Sequence, residues 1–301
     1  MINDSLVDAG GVQLAVRDFG GDHPPLLLLH GAGGNLAHMT LLARALRPHH
    51  RVVTVDLRGH GRSADGPWTW DAALGDLAAV CVELELERPA IAGHSLGGML
   101  ATLWGQRHPE SPGVVNLDGS PPPTRPDQLP GLTPDRAAAE LERLTGVFDM
   151  VEAAAGQTVE AGELADLVER QRMAARDRGA NEKVWIEGFR RNLVHGKDGT
   201  TTFRPSFATT TQLRALMTEL DLAPVHAATK CPSLLVLATR DLPEQEPFAD
   251  LYAAHRRYVL AQAEAIPHLR HVALADASHA MVIEQPEALA TLITTFLAEA
   301  R

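Results

Sequence analysis

The sequence predicts an α/β domain with a mostly parallel sheet, and three observations carry that prediction. Short, continuous apolar runs recur along the chain: Leu26–Leu29, Val52–Val55, Ala90–Ala92, Val114–Val115 and Leu234–Leu237. An apolar run without polar alternation is the mark of a strand covered on both faces, as in a parallel sheet. Helical periodicity fills the gaps between the runs. The chain, at 301 residues, is long enough for one large core or two small ones.

The elements follow in order. Leu6–Ala9 and Val12–Phe19 flank Gly10-Gly11 and predict an antiparallel hairpin at the start of the sheet. A helix is expected over about Trp70–Glu87. Leu96, Met99, Leu100, Leu103 and Trp104 place one apolar stripe on a second. Pro286 suits the first turn of the last helix, whose buried side carries Leu289, Leu292, Ile293 and Phe296. The alternation stops after Gly119, because Ser120–Pro134 holds six prolines and reads as an irregular linker. A charged, helix-rich segment then runs to about Leu222, and the strand pattern resumes at Cys231. The expected organisation is a core of residues 1–119 and 223–301 with a helical cap inserted at 120–222.

Composition narrows the partners. The net charge is −11, from 27 Lys+Arg against 38 Asp+Glu, with no basic block to offset it. Long-range repulsion then disfavours nucleic acid and anionic membranes, and a small-molecule substrate is the expected partner. No apolar run approaches the roughly 20 residues of a membrane span, and the opening MINDSLVDAG has neither the basic start nor the apolar core of a leader. A cytoplasmic protein is expected, with Cys81 and Cys231 as reduced, buried thiols. No metal or nucleotide motif is present, so no metal and no cofactor are implied. Gly196-Lys197-Asp198 lacks the leading glycine and the Ser/Thr of a phosphate loop. His49-His50 reads as a solvated pair at a helix end.

The chemistry centres on Gly93-His94-Ser95-Leu96-Gly97. A strand ends, the chain reverses, and a helix begins. Such a turn forces strained angles on the serine and requires small neighbours on both sides. Ser95 is therefore the candidate nucleophile. A serine hydroxyl needs a base, and the base needs an orienting acid. His279 is the candidate base, in a loop between the strand-like Val272–Leu274 and the last helix; His268 and His271 are its rivals. Asp241, just past a buried strand, is the favoured acid, and Asp118, just past another, is the alternative. Donors for an oxyanion are expected from the Leu96 and Ala32 N–H groups. His30 is expected to orient the Ala32 loop by hydrogen bonds.

The chain resembles the α/β-hydrolase fold family, in its serine-nucleophile branch with a helical cap. The matching pieces are HGAGGN at 30–35, DLRGHGRS at 56–63, GHSLGG at 93–98, ATRD at 238–241 and HAMVIEQP at 279–286. The resemblance implies a mostly parallel central sheet flanked by helices, a catalytic triad, an oxyanion hole, and structural roles for Asp56 and Arg58. Serine at the nucleophile position sets the chain apart from members that carry Asp there and open epoxides or displace halide. The expected activity is hydrolysis of a small to medium, mostly apolar carboxylic ester or lactone. Two alternatives stand beside it. One is C–C bond or thioester hydrolysis with the same triad, which Arg190 or Arg191 facing the pocket would favour. The other is a non-catalytic ligand receptor. Phe148, Met150, Trp185, Phe189 and Met217 are the candidate pocket walls.

Overall fold

The computed structural model describes residues 4–160, 162–196 and 199–300. Lys197 and Asp198 of the Gly196-Lys197-Asp198 turn, and the first three residues of the N-terminal stretch, lie outside them. An eight-stranded sheet forms the centre. Its strands are β1 (Asp4–Asp8), β2 (Gln13–Asp18), β3 (Pro25–Leu29), β4 (Arg51–Val55), β5 (Ala90–His94), β6 (Val114–Leu117), β10 (Ser233–Ala238) and β11 (Leu269–Leu274). The spatial order is β1-β2-β4-β3-β5-β6-β10-β11. β1 and β2 form the expected hairpin around Gly10-Gly11, β2 runs antiparallel to β4, and every later pairing is parallel.

The apolar runs are buried on both faces, and a period of two explains how. Leu27, Leu29, Val53, Val55 and Ile91 face one core. Helices α2 (Trp70–Glu83), α3 (Leu96–Arg107) and α8 (Leu222–Ala228) cover it with Leu74, Leu77, Leu100, Leu103 and Val225. Leu26, Leu28, Val52, Ala92 and Val236 face the other. There they meet Leu42 and Leu46 of α1 (Thr40–Leu46), Met281 of α10 (Met281–Glu284), and Leu289, Ile293 and Phe296 of α11 (Pro286–Glu299). Helix α2 stops short of the expected Glu87 because Glu85 takes a left-handed backbone, φ 52°. Helix α9 (Ala249–Glu264) precedes the edge strand β11.

The described residues between β6 and β10 add no strand to this sheet. They form α4 (Pro134–Ala154), α5 (Leu164–Asp177), α6 (Glu182–Arg191) and α7 (Phe207–Glu219), with α8 after them. They also form a three-stranded antiparallel sheet that periodicity did not anticipate, in the order β7 (Thr158–Val159), β9 (Thr201–Phe203), β8 (Leu193–His195). Strands of two or three residues are too short to show a pattern.

Polar contacts fasten this segment to the core. The Asn35 side chain donates to the Gly188 carbonyl at 2.8 Å and to Asn192 Oδ1 at 2.9 Å. Asn192 Nδ2 returns a bond to the Gly33 carbonyl at 2.8 Å. Arg191, named above as a residue that could face a substrate pocket, is bound to the core instead. Its guanidinium is buried, with Nε donating to Asp56 Oδ2 at 2.7 Å and Nη1 to Asp4. Asp56 also accepts the Leu36 and Arg62 N–H groups at 2.7 and 2.8 Å. Arg58 grips Asp76 through two bonds of 2.7 Å, so both residues of the DLRGHGRS loop hold structure. His50 also departs from expectation: it is buried, because the chain turns inward there to enter β4. Cys81 and Cys231 are free thiols, partly and fully buried, and burial pushes them up to about 12 and about 11.

Replacing Arg191 by Leu leaves Asp56 buried without its counter-charge. An unpaired buried charge costs on the order of 3–5 kcal/mol. Urea unfolding of Arg191→Leu is expected to show a stability loss in that range; a loss below about 1 kcal/mol would make this ion pair no more than a surface contact.

Candidate active site

In the described sheet, the carboxyl ends of β3, β5, β6, β10 and β11 all point the same way, and the candidate residues follow them directly. This is where open α/β sheets place ligands. Ser95 follows β5 with φ 52° and ψ −116°, the strained elbow that the motif predicts. The glycines make the turn possible. A Cβ on Gly93 would lie 2.1 Å from the Gly97 carbonyl oxygen, and one on Gly97 would lie 2.5 Å from that of Leu29. Backbone cannot yield as a flexible side chain does, so both positions exclude any larger residue. The Ser95 N–H donates to Leu117 O at 3.0 Å, and its carbonyl accepts from Met99, opening α3. The helix N-terminus behind the hydroxyl favours developing negative charge.

His279 lies in the loop after β11. Its Nδ1–H donates to Asp118 Oδ2 at 2.7 Å. The carboxylate that meets His279 is thus that of Asp118, the alternative acid, and not that of the favoured Asp241. Asp241 forms an ion pair with Arg256 of α9 instead. Asp118 is held from three sides. Its own N–H donates to Val236 O at 2.8 Å, its Oδ1 accepts the Ala238 N–H at 2.9 Å, and Gly119 N–H beside it is tied to Asn116 Oδ1 at 2.7 Å. Its left-handed backbone, φ 54°, turns the chain just past β6. Burial works to raise the Asp118 carboxyl, but the hydrogen bond and charge of His279 and the Ala238 N–H outweigh it, and the net direction is down. The acid is thus held ionised beside the imidazole. His268 and His271, the rival bases, lie before and within β11, away from its carboxyl end, and His268 bonds the His226 carbonyl at 3.0 Å.

Gly31–Gly34 forms a turn closed by Gly34 N–H to Gly31 O at 3.0 Å, with Gly33 at φ 71°. A type II turn needs positive φ at its third residue, which glycine meets without cost. A Cβ on Gly31 would sit 3.1 Å from Ser95 Cβ, so this loop lies against the serine. Ala32 lines the same cavity as Ser95, Asp118 and His279, which measures about 300 Å³. Leu96 is the first residue of α3, so its N–H has no carbonyl partner within the helix. His30 fixes the loop as expected: its Nδ1–H donates to Gly31 O at 2.8 Å and its Nε2 accepts Leu57 N–H at 3.0 Å.

Of the candidate pocket walls, Phe148 and Met217 line this cavity. Met150 faces solvent, Trp185 bonds Gln171 on α5, and Phe189 packs edge-on against Phe203. Arg190 lies in a separate, charged surface groove with Arg62 and Arg172. The cavity also takes Tyr252, His255 and Arg256 from α9, which nothing in the local sequence distinguished from an ordinary surface helix. His94 was equally unremarked, although it adjoins the serine. Its Nε2–H donates to the His279 carbonyl at 2.7 Å, and the two rings sit 4.7 Å apart.

The Alpha/beta hydrolase family profile matches residues 26–292. The chain belongs to this family. Among relatives, sn-1-specific diacylglycerol lipase ABHD11 of Danio rerio is 36% identical over 104 residues, 33% of this chain and 33% of that protein. The chain therefore matches about a third of that lipase's length. Pimeloyl-(acyl-carrier protein) methyl ester esterase of Yersinia enterocolitica is 26% identical over 282 residues, 90% of this chain and 92% of the relative. Among solved structures, E-2-(acetamidomethylene)succinate hydrolase superposes with a TM-score of 0.74 at 22% identity, covering 99% of this chain and all of that one, which speaks to the fold. No helix among the described residues is long and apolar enough to cross a membrane.

Buried imidazoles surround the site. Desolvation lowers His94 to about 3, with the His279 charge adding to it, and lowers His38, His60 and His255 to about 4. These rings are neutral in the folded protein, whereas unfolded histidine titrates near 6.5. Between those values the unfolded chain binds more protons, so stability falls as the pH drops. Melting temperature is expected to be nearly flat between pH 7 and 8 and to fall steadily from pH 6.5 to 4.5, by an amount equivalent to several kcal/mol. A flat profile over that lower range would mean that these rings are hydrated.

Proposed function

We propose that the protein is a serine hydrolase that cleaves a small to medium, mostly apolar carboxylic ester or lactone by acyl transfer. The observation that carries this reading is the 2.7 Å contact of His279 with Asp118 beside the strained Ser95, all three on one cavity. Ser95 Oγ attacks the carbonyl carbon, and His279 Nε2 takes its proton. Asp118 holds the imidazole in the required tautomer and balances its charge. The Leu96 and Ala32 N–H groups hold the oxyanion. His279 then protonates the leaving alcohol. Water, activated by the same imidazole, attacks the acyl-enzyme and releases the acid. Residues 120–222 act as the cap that roofs the pocket, with Phe148 and Met217 as walls.

Support for ester chemistry also comes from the two named relatives, a lipase and a methyl ester esterase. The feature that would have favoured C–C cleavage, Arg190 or Arg191 in the pocket, is not met: Arg191 is committed to Asp56 and Asp4, and Arg190 lies in the surface groove.

The test is steady-state hydrolysis of p-nitrophenyl acetate and butyrate. Ser95→Ala is expected to lose a factor of about 10⁵ or more in kcat, with its melting temperature unchanged. Asp118→Asn is expected to lose about 10⁴, and Asp241→Asn no more than a few-fold. The reverse order for the two aspartates would return the acid's role to Asp241. Ser95→Ala within tenfold of wild type would overturn the mechanism.

A further inference from the structure

A second space adjoins the cavity at Ser95 across Phe148 and Met217: a lobe of about 450 Å³ against the end of α4, the end of β9 and α7. Ala32, Pro122, Phe148 and Met217 border both spaces, so the lobe begins at the oxyanion loop. The two spaces differ in chemistry. The near one carries Arg240, Gln245, Tyr252, His255 and Arg256 on one side. The far one is walled by Val151, Ala154, Ala155, Phe203, Pro205 and Leu213.

Two cations border the far lobe, and both are already committed. Arg214 pairs with Asp149 at 2.6 Å and Glu152 at 2.9 Å. Arg204 pairs with Asp65 at 3.0 Å and also donates to the Ser63 carbonyl. A lobe whose only charges are neutralised by their neighbours offers little to an anion and much to hydrocarbon. Val151 in its wall is 56% exposed, which marks where the lobe opens to solvent.

We propose that this lobe holds the apolar chain of the substrate, an unbranched chain of about eight to twelve carbons, while the ester carbonyl sits at Ser95. The proposal rests on the serine-hydrolase reading above and names the substrate class of the same site. Size sets the length. At roughly 30 Å³ per methylene, close to a water's share of liquid volume, the lobe's 450 Å³ admits about fifteen carbons as a ceiling. A mobile chain fills less than the whole. Every methylene that enters is desolvated against a wall that is mostly apolar.

The experiment compares kcat/KM across p-nitrophenyl esters from acetate to dodecanoate and across alkyl acetates from methyl to decyl. One of the two series is expected to rise by up to roughly fourfold per methylene and to level off between about eight and twelve carbons. The series that rises identifies which side of the ester carries the chain. Ala154→Phe and Ala155→Phe fill the lobe, and each is expected to cut the decanoyl-to-acetyl (or decyl-to-methyl) ratio at least tenfold. Ala153→Phe, exposed on the same helix and outside the lobe wall, is expected to keep that ratio. Unchanged ratios in Ala154→Phe and Ala155→Phe, or a wild-type preference for the shortest member of both series, would overturn the proposal. A second readout needs no turnover: calorimetric titration of Ser95→Ala with decanoic acid, expected to bind at least tenfold more weakly once Ala155→Phe is added. Lobe-dependent binding without any ester turnover would sink the chemistry at Ser95 and keep the lobe; ester turnover with binding indifferent to Ala155→Phe would do the opposite.

Discussion

Everything in the site depends on how closely the backbone of β5 and α3 approaches itself and the end of β3. With no Cβ on Gly93 and Gly97, the elbow closes to distances at which any side-chain carbon would overlap a carbonyl oxygen. That closeness holds Ser95 at φ 52°, a conformation that serine does not choose by itself. Gly119, after β6, completes the constraint: a Cβ there would lie 2.4 Å from the Ser95 carbonyl oxygen. So the turn that presents Ser95 and the turn that follows Asp118 touch through backbone atoms. Ser95 and Asp118 are set by one packing contact between adjacent strands, and His279 is brought to them by the loop after β11.

This explains what the sequence made legible. The elbow is local: its strand, serine, small neighbours and helix form one continuous stretch, Ala90–Arg107, and each has a pattern of its own. The parallel sheet was legible for a related reason, since strands covered on both faces need no alternation and stand out as apolar runs. The acid was not legible in the same way. Asp118 and Asp241 both follow a buried strand. Both also fit the order serine, acid, histidine, so order does not separate them; what decides between them is tertiary. Arg256 arrives from α9 and engages Asp241, while β10 supplies the Ala238 N–H that fixes Asp118. Neither partner is near its aspartate in sequence terms that a pattern can read. Arg191 was obscured in the opposite way. Beside Arg190 on a charged helix it reads as solvated, and only the fold brings Asp4 and Asp56 to its guanidinium.

The histidines around the serine divide into two kinds by their surroundings. His279 faces the cavity and has a carboxylate to share its proton with. His30, His60 and His94 are packed without a carboxylate hydrogen-bond partner and meet backbone carbonyls instead. A ring held neutral by burial keeps its N–H as a fixed strut. His94 is the clearest case. It sits beside Ser95, and its Nε2–H is spent on the His279 main chain, whose position it secures.

The same economy of charge shapes the cap side. Arg204 and Arg214 each meet a carboxylate before they reach the cavity wall, as do Arg240 with Glu284 and Arg256 with Asp241. Arginine stems then contribute hydrocarbon to the walls while their heads are held aside. The difference between the two spaces lies in what remains. Near Ser95, Tyr252, Gln245 and His255 keep polar surface beside the place where charge develops. Beyond Phe148 and Met217 the wall is largely apolar. An ester has this same division, a polar reacting carbonyl joined to a chain that water expels. On the proposed ester-hydrolase reading, two adjoining spaces that differ in this way, with Ala32 bordering both, orient such a molecule by desolvation before any hydrogen bond to the carbonyl is made.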